Sequence, residues 1–201
     1  MSEMAAGQWR IVLDEAHNAL RTAVEAVPAD AWHRPTPCER WTVTQVLQHA
    51  TGDQLAFAAA IGGGPGPAED PFAPSGQIDG DKLVDLRAAL DASAQAWAGV
   101  ADDDPQVPTP LPQGKLPAHV GAVACALDAA VHAWDIATAT GQPSPLGDDL
   151  ARPLLAVARQ IVEPLRAYGA YAPAITGPET DDVSALLAYL GRDPQWSARK
   201  A

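Results

Sequence analysis

The chain is 201 residues long with a formal net charge of −12 and a sequence pI near 4.6, which argues against nucleic acid or a membrane surface as partner, since both reward clustered Lys and Arg. With 47% hydrophobic and 19% charged residues, it has ordinary globular composition and the length for one well-buried domain over residues 1–201. Trp, Asp, Glu and His interrupt the stretch Met1 to Leu20, where a signal peptide needs an unbroken apolar core, and no segment reads as a charge-free span, so a cytoplasmic protein is expected.

Residues 5–27 place Trp9, Val12, Leu13, Ala16, Leu20, Val24 and Val27 on one stripe, with Arg10, Asp14, Arg21 and Glu25 opposite, the period of an amphipathic helix. The extended approach Pro35-Thr36-Pro37-Cys38-Glu39-Arg40 leads into Thr42-Val43-Thr44-Gln45. This reads as a capping box with Thr42 as N-cap, Gln45 reaching back, and Trp41 and Val46 in the staple positions. A second helix is therefore predicted from Val43 to about Ile61, with Val46, His49, Asp53 and Ala56 or Phe57 along one side. Gly62 to Gly80 holds six glycines and four prolines, too many for helix or central strand, and is expected to be a long crossover and a candidate lid.

Asp81 to Val100 is a third amphipathic segment, with Leu83, Leu86, Leu90 and Trp97 inward, and Asp102-Asp103-Asp104-Pro105 breaks it. Four prolines make Pro105 to Pro112 irregular. A fourth helix is predicted from near Pro117 to Gly141. Asp148 to Tyr168 is a fifth, in which Pro153 suits the start and Pro164 is expected to kink or end the helix. A short last helix, Asp181 to Leu190, stops at Gly191. No internal repeat or strand-period alternation is evident. The expected fold is all-α, a four-helix bundle with long crossover loops and short additional C-terminal helices.

Chemistry-bearing residues concentrate in two of these helices. Asp128 and His132 stand four apart inside the apolar run Leu116 to Thr140. At about 3.6 residues per turn they share one face, and Asp135 falls on the same stripe. His49 occupies an equally apolar stretch upstream. Together His49, Asp128 and His132 look like a three-ligand metal site; two imidazoles and one carboxylate suit zinc, nickel or ferrous iron and leave a position open.

The plainer reading is that an i,i+4 Asp–His pair decorates a helix surface and a lone histidine sits satisfied in a core. Against it, Asp128 is flanked by Val123, Ala124, Cys125, Ala126, Leu127, Ala129, Ala130 and Val131. A surface pair needs a more polar helix, and a buried carboxylate needs a partner of which a cation is one. Occupancy of such a site is expected to fall as pH drops through the histidine range, about 6.5. Asp135 can orient the His132 imidazole or hold a metal-bound water; a plain helix-surface or inter-helix hydrogen bond accounts for its spacing equally well. Trp134 points away from the ligand face and reads as packing. Cys38, with Glu39 beside it raising its pKa, reads as a structural thiol, and Cys125 lacks the neighbours of a nucleophile. His17, His33 and His119 lack spaced partners and are expected at the surface or at caps.

The fragments Pro35-Thr36-Pro37-Cys38-Glu39-Arg40-Trp41-Thr42-Val43, Val131-His132-Ala133-Trp134-Asp135-Ile136-Ala137-Thr138-Ala139-Thr140-Gly141 and Leu190-Gly191-Arg192-Asp193-Pro194 resemble those of DinB-like metal-binding proteins of actinobacteria, which are similar to the N-terminal domain of mycothiol-dependent maleylpyruvate isomerase. The resemblance runs from roughly Trp9 to Trp196. It implies a DinB-like four-helix bundle holding a divalent metal, with ligands falling on His49, Asp128 and His132. Two departures stand out: Asp128 is one methylene shorter than the isomerase's glutamate, and a chain ending at Ala201 leaves no room for the isomerase's further C-terminal domain. Isomerisation of maleylpyruvate itself is therefore not expected to transfer.

The chemistry the resemblance implies is thiol activation. A low-molecular-weight thiol such as mycothiol or bacillithiol would bind the open position of a metal, zinc foremost, as thiolate and attack a small electrophile. Addition and release give S-transfer; addition, bond rotation and elimination give cis/trans isomerisation. Asp135 is the expected catalytic residue. One alternative is a metal-dependent hydrolase using metal-bound hydroxide, with Asp135 or Asp53 as general base. Another is a non-catalytic metal or small-molecule binder. The oligomeric state stays open, a homodimer among the options.

Overall fold

The computed structural model describes residues 7–177 and 180–197. Its helices are α1 (Gln8–Glu25), α2 (Val43–Ile61), α3 (Lys82–Ala98), α4 (Ala118–Thr140), α5 (Asp148–Ala167) and α6 (Asp182–Tyr189). Residues 5 and 6 of the first predicted helix lie outside the described residues. The start of α2 is fixed as the sequence predicts. The Gln45 backbone N–H donates to Thr42 Oγ1 at 3.4 Å, and the Thr42 N–H donates to Gln45 Oε1 at 3.0 Å, so two of the otherwise unpaired first-turn donors are satisfied reciprocally. Asp81 and Asp181 cap α3 and α6 in the same spirit. Gly141, at φ +77°, closes α4 in the left-handed conformation that a side chain resists.

In space the first four helices form a ring: α1 lies against α4, α4 against α2, α2 against α3, and α3 returns to α1. α5 then covers the remaining face of α4, and α6 packs on α5. One hydrophobic cluster runs through all six. Helix α4 is thus enclosed by α1, α2 and α5. That enclosure explains why it is apolar all round rather than striped, and its alanines let the neighbours approach closely. α4 is also the one described helix long and apolar enough to cross a membrane by length and composition, though Asp128 and Asp135 lie within it and, as the sequence predicts, it is not a charge-free span. Neighbours bury 94% of its apolar window, the mark of a bundle's central helix.

Elsewhere the structure departs from expectation. Pro105 to Pro112 is not wholly irregular: β1 (Val107–Pro108) pairs antiparallel with β2 (Lys115–Leu116), Val107 opposite Leu116. Val107 is buried and anchors the ribbon, and an edge position tolerates the missing N–H of Pro108. Helix α5 has close to its predicted extent, running through Pro164 to Ala167, so of the two outcomes expected at that proline the helix does not end there. Only one further turn follows that proline, and Leu165 is buried in the core, so packing offsets the lost hydrogen bond. α5 is as long as the bundle helices, leaving α6 as the short C-terminal addition. His17 is not a surface residue; it is buried, with Nε2 2.9 Å from Gln54 Oε1. Ser93 and Cys125 donate to the same oxygen, at 3.0 and 3.1 Å. Four helices thereby meet at one buried amide. Burial outweighs the Gln54 hydrogen bond and lowers the His17 pKa below its ordinary value.

Candidate metal centre

Two turns into α2, His49 faces α4, where Asp128 and His132 stand one turn apart on the face towards α2. Asp128 Oδ1 lies 3.1 Å from His49 Nε2 and 3.3 Å from His132 Nε2. One candidate ligand atom from each residue lies within 4.8 Å of the others. The other nitrogen of each ring is already engaged. His49 Nδ1 is 2.9 Å from the Pro71 carbonyl oxygen, and His132 Nδ1 is 2.9 Å from Asp135 Oδ2.

These partners settle the tautomers. A carbonyl and a carboxylate only accept, so each Nδ1 carries a hydrogen, and each neutral ring presents a lone pair at Nε2. Two lone pairs and a carboxylate oxygen then converge on one spot, and three acceptors so placed require positive charge between them, as a proton or as a cation. Asp128 Oδ2 is buried and has no hydrogen-bond partner among the described residues. The donor set therefore fits a divalent ion of the zinc, nickel or iron class.

The crossover after α2 forms one wall. Gln45 Nε2 donates to the Pro74 carbonyl at 3.2 Å, Gln48 Nε2 to the Gln77 carbonyl at 2.8 Å, and the Gly76 N–H to Gln48 Oε1 at 2.7 Å. These bonds place Pro71 and Phe72 beside His49. At Gly52 a Cβ would stand 2.9 Å from the Pro71 ring, so the close approach of loop to helix depends on that glycine. Phe72 is 61% exposed, yet its ring meets His49 edge-on at 5.2 Å. Trp41, a residue of the predicted staple, packs against His49 at 4.6 Å and His132 at 6.2 Å. Two aromatic rings therefore border the histidine pair. A cavity of about 370 Å³ adjoins the same crossover, lined by Gly52, Pro71 and Lys82 among others but by none of the three converging residues.

Electrostatics mark the cluster. Burial alone would raise the Asp128 carboxyl, but the charge and hydrogen bonds of His132 and His49 outweigh it and hold the group below the carboxylate range. Burial alone would lower His132; Asp128 and Asp135 instead raise it to about 9. Asp53 is pushed up to about 7 by burial and by the Asp128 charge. Asp135, fully buried, stays low despite burial because Arg192 and His132 both stabilise its charge. Cys38 is raised to about 11, and burial with Asp135 accounts for it rather than the neighbouring Glu39 that the sequence indicates. Burial likewise pushes Cys125 up to about 12.

All four singled-out residues, His49, Asp128, His132 and Asp135, thus meet in one cluster. Trp134 is buried in packing, and His33 and His119 are exposed, as expected. The residue that sequence reasoning passes over is Arg192, which grips Asp135 through Nε at 3.1 Å and Nη2 at 3.0 Å. It lies in a noted fragment, directly after the helix stop at Gly191, and a lone arginine in that position was the available signal.

Residues 13–137 match the family model of the mycothiol maleylpyruvate isomerase N-terminal domain. Two uncharacterized proteins of Mycobacterium tuberculosis, from strains CDC 1551 / Oshkosh and ATCC 25618 / H37Rv, are each 33% identical over 188 residues, covering 88% of this chain and 93% of their own length. A crystal structure of a histidine-to-alanine mutant of mycothiol-dependent maleylpyruvate isomerase shares the fold, with a TM-score of 0.61 and 14% identity over 86% of this chain and 75% of that one.

Proposed function

This chain belongs to the family of the mycothiol maleylpyruvate isomerase N-terminal domain, and we propose that His49, Asp128 and His132 hold a divalent cation, zinc foremost, at which a small thiol of the mycothiol class is brought against a small electrophile. The observation that carries the reading is the convergence on one spot of two Nε2 atoms and a carboxylate oxygen, with both Nδ1 atoms engaged elsewhere, so that only a proton or a cation can sit between them. A bound divalent cation supplies the Lewis acidity that turns a thiol into its thiolate at neutral pH.

The chain's own residues do the rest. Pro71 and Asp135 keep the hydrogens on Nδ1 of the two rings, and Asp135 is the positioning group for His132. Trp41 and Phe72 border the centre with apolar surface and limit water beside it. A thiol sulfur that adds to the electrophile and stays performs transfer; one that adds, allows bond rotation and leaves performs isomerisation. Two free cysteines accord with a reducing compartment such as the cytoplasm. Hydrolysis is the second reading, with Asp53, one turn beyond His49 on α2, as the carboxylate that would accept the proton.

The test is elemental analysis of untagged protein never exposed to chelator, beside His49→Ala and Asp128→Asn. Near-stoichiometric metal in the parent, with losses in both variants, is the expected result; a metal-free parent overturns the reading. Turnover of an electrophile panel with and without added thiol then separates transfer or isomerisation, which need the thiol, from hydrolysis, which does not. Metal without turnover identifies a binding protein.

A further inference from the structure

The geometry points to Arg192 as a positioning residue of the cation site: it fixes His132 through Asp135, so that a side chain following the last helix governs how well the ion is held. The inference rests on the cation reading above. Arg192 is 7% exposed and Asp135 wholly buried. The guanidinium grips the carboxylate with two prongs, Nε at 3.1 Å from Oδ1 and Nη2 at 3.0 Å from Oδ2, while Nη1 donates to the Leu190 carbonyl at 3.4 Å. Such a fork fixes the plane of the carboxylate as well as its position. The same Oδ2 accepts the Nδ1 hydrogen of His132 at 2.9 Å. A rigid carboxylate therefore dictates the orientation of the ring and the direction of its Nε2.

The backbone supplies the arginine independently of any ion. Gly191, at φ +79°, turns the chain where a Cβ would lie 2.7 Å from the Ala172 Cβ and 2.8 Å from the Pro173 oxygen, and the Arg192 N–H closes the turn on the Leu187 carbonyl at 2.9 Å. Without the guanidinium, Asp135 would be a buried carboxylate facing one imidazole. It would rotate or take up a proton, and in either case His132 would lose the acceptor that aims it.

Cobalt(II) titration, read by visible absorption, tests this on the full chain as parent, Arg192→Met, Arg192→Lys, Asp135→Asn and the Met/Asn double variant, with melting of the metal-free proteins as the fold control. Arg192→Met is expected to weaken cobalt binding roughly 10- to 100-fold and to change the ligand-field bands. Arg192→Lys, which keeps the charge without the fork, should recover part of the loss. The double variant should bind no worse than Asp135→Asn alone, because the arginine acts through that carboxylate. Parent-like affinity and bands in Arg192→Met overturn the inference, and so does simple addition of the two single losses. If Arg192→Met does not fold, Arg192→Lys decides, parent-like affinity and bands overturning the proposal. A parent that binds no cobalt removes the cation reading itself, an outcome distinct from a parent that binds beside variants that bind equally well.

Discussion

At His132 a proton and the proposed cation would compete for the same nitrogen. In the metal-free protein its pKa is about 9 against an ordinary 6.5, so the folded state keeps a proton that the unfolded chain releases between those values. The stabilisation is fully present below pH 6.5 and is lost as pH rises through 9. A cation bound at that nitrogen would have to displace the proton, so its affinity is expected to rise over the same window. Denaturant titrations of metal-free protein at the two ends, beside cobalt titrations at the same pH values, should show opposite slopes; parallel slopes would mean that ion and proton do not share the site. The sequence places the change lower, near the ordinary histidine value, because it does not show two carboxylates closing on one ring. His49, Asp128 and His132 were legible from helical spacing and apolar surroundings. Arg192 was not, since its partner is 57 residues away in the chain, and His17 was misread because Gln54, the group that satisfies it, comes from another helix.

At the level of elements, α2 does more than carry His49. Its capping box orders Gln45, and Gln45 also donates to Pro74, so a single cap couples the start of the helix to the crossover that borders the centre. Thr42→Ala is expected to cost about 1 kcal/mol of stability, by denaturant unfolding, as a lost cap does. It should also weaken cobalt binding a few-fold, because Pro71 then holds His49 less firmly. An unchanged cobalt affinity beside the lost stability would show that the crossover is held without the cap. Caps, helix ends and the crossover were readable because each depends on residues within a few positions of one another. The extent of α5 was readable too, Asp148 to Tyr168 against the observed Asp148–Ala167; the β1–β2 ribbon was not, since buried Val107 decides it through contacts with distant elements. α4 gave a signal of another kind: uniformly apolar sequence reads as burial on all sides, and α1, α2 and α5 supply it.

Across the whole molecule, the centre draws on α2, α4, the crossover and the turn after α6, so an ion bound there favours the folded state over the unfolded chain. Linkage gives about 2.7 kcal/mol of added stability at a free ion concentration one hundred times the dissociation constant. Thermal melts with zinc and with chelator should differ accordingly, and the difference should grow with zinc concentration; identical melts would show that the ion does not bind the native state. The order of the pieces along the chain has a consequence for biosynthesis. Every group that would touch the ion has been made once His132 is joined, whereas Arg192 follows sixty residues later. A growing chain therefore passes through an interval in which the three converging groups exist while His132 lacks its rigid anchor, and an ion would be held firmly there only once Arg192 has been added.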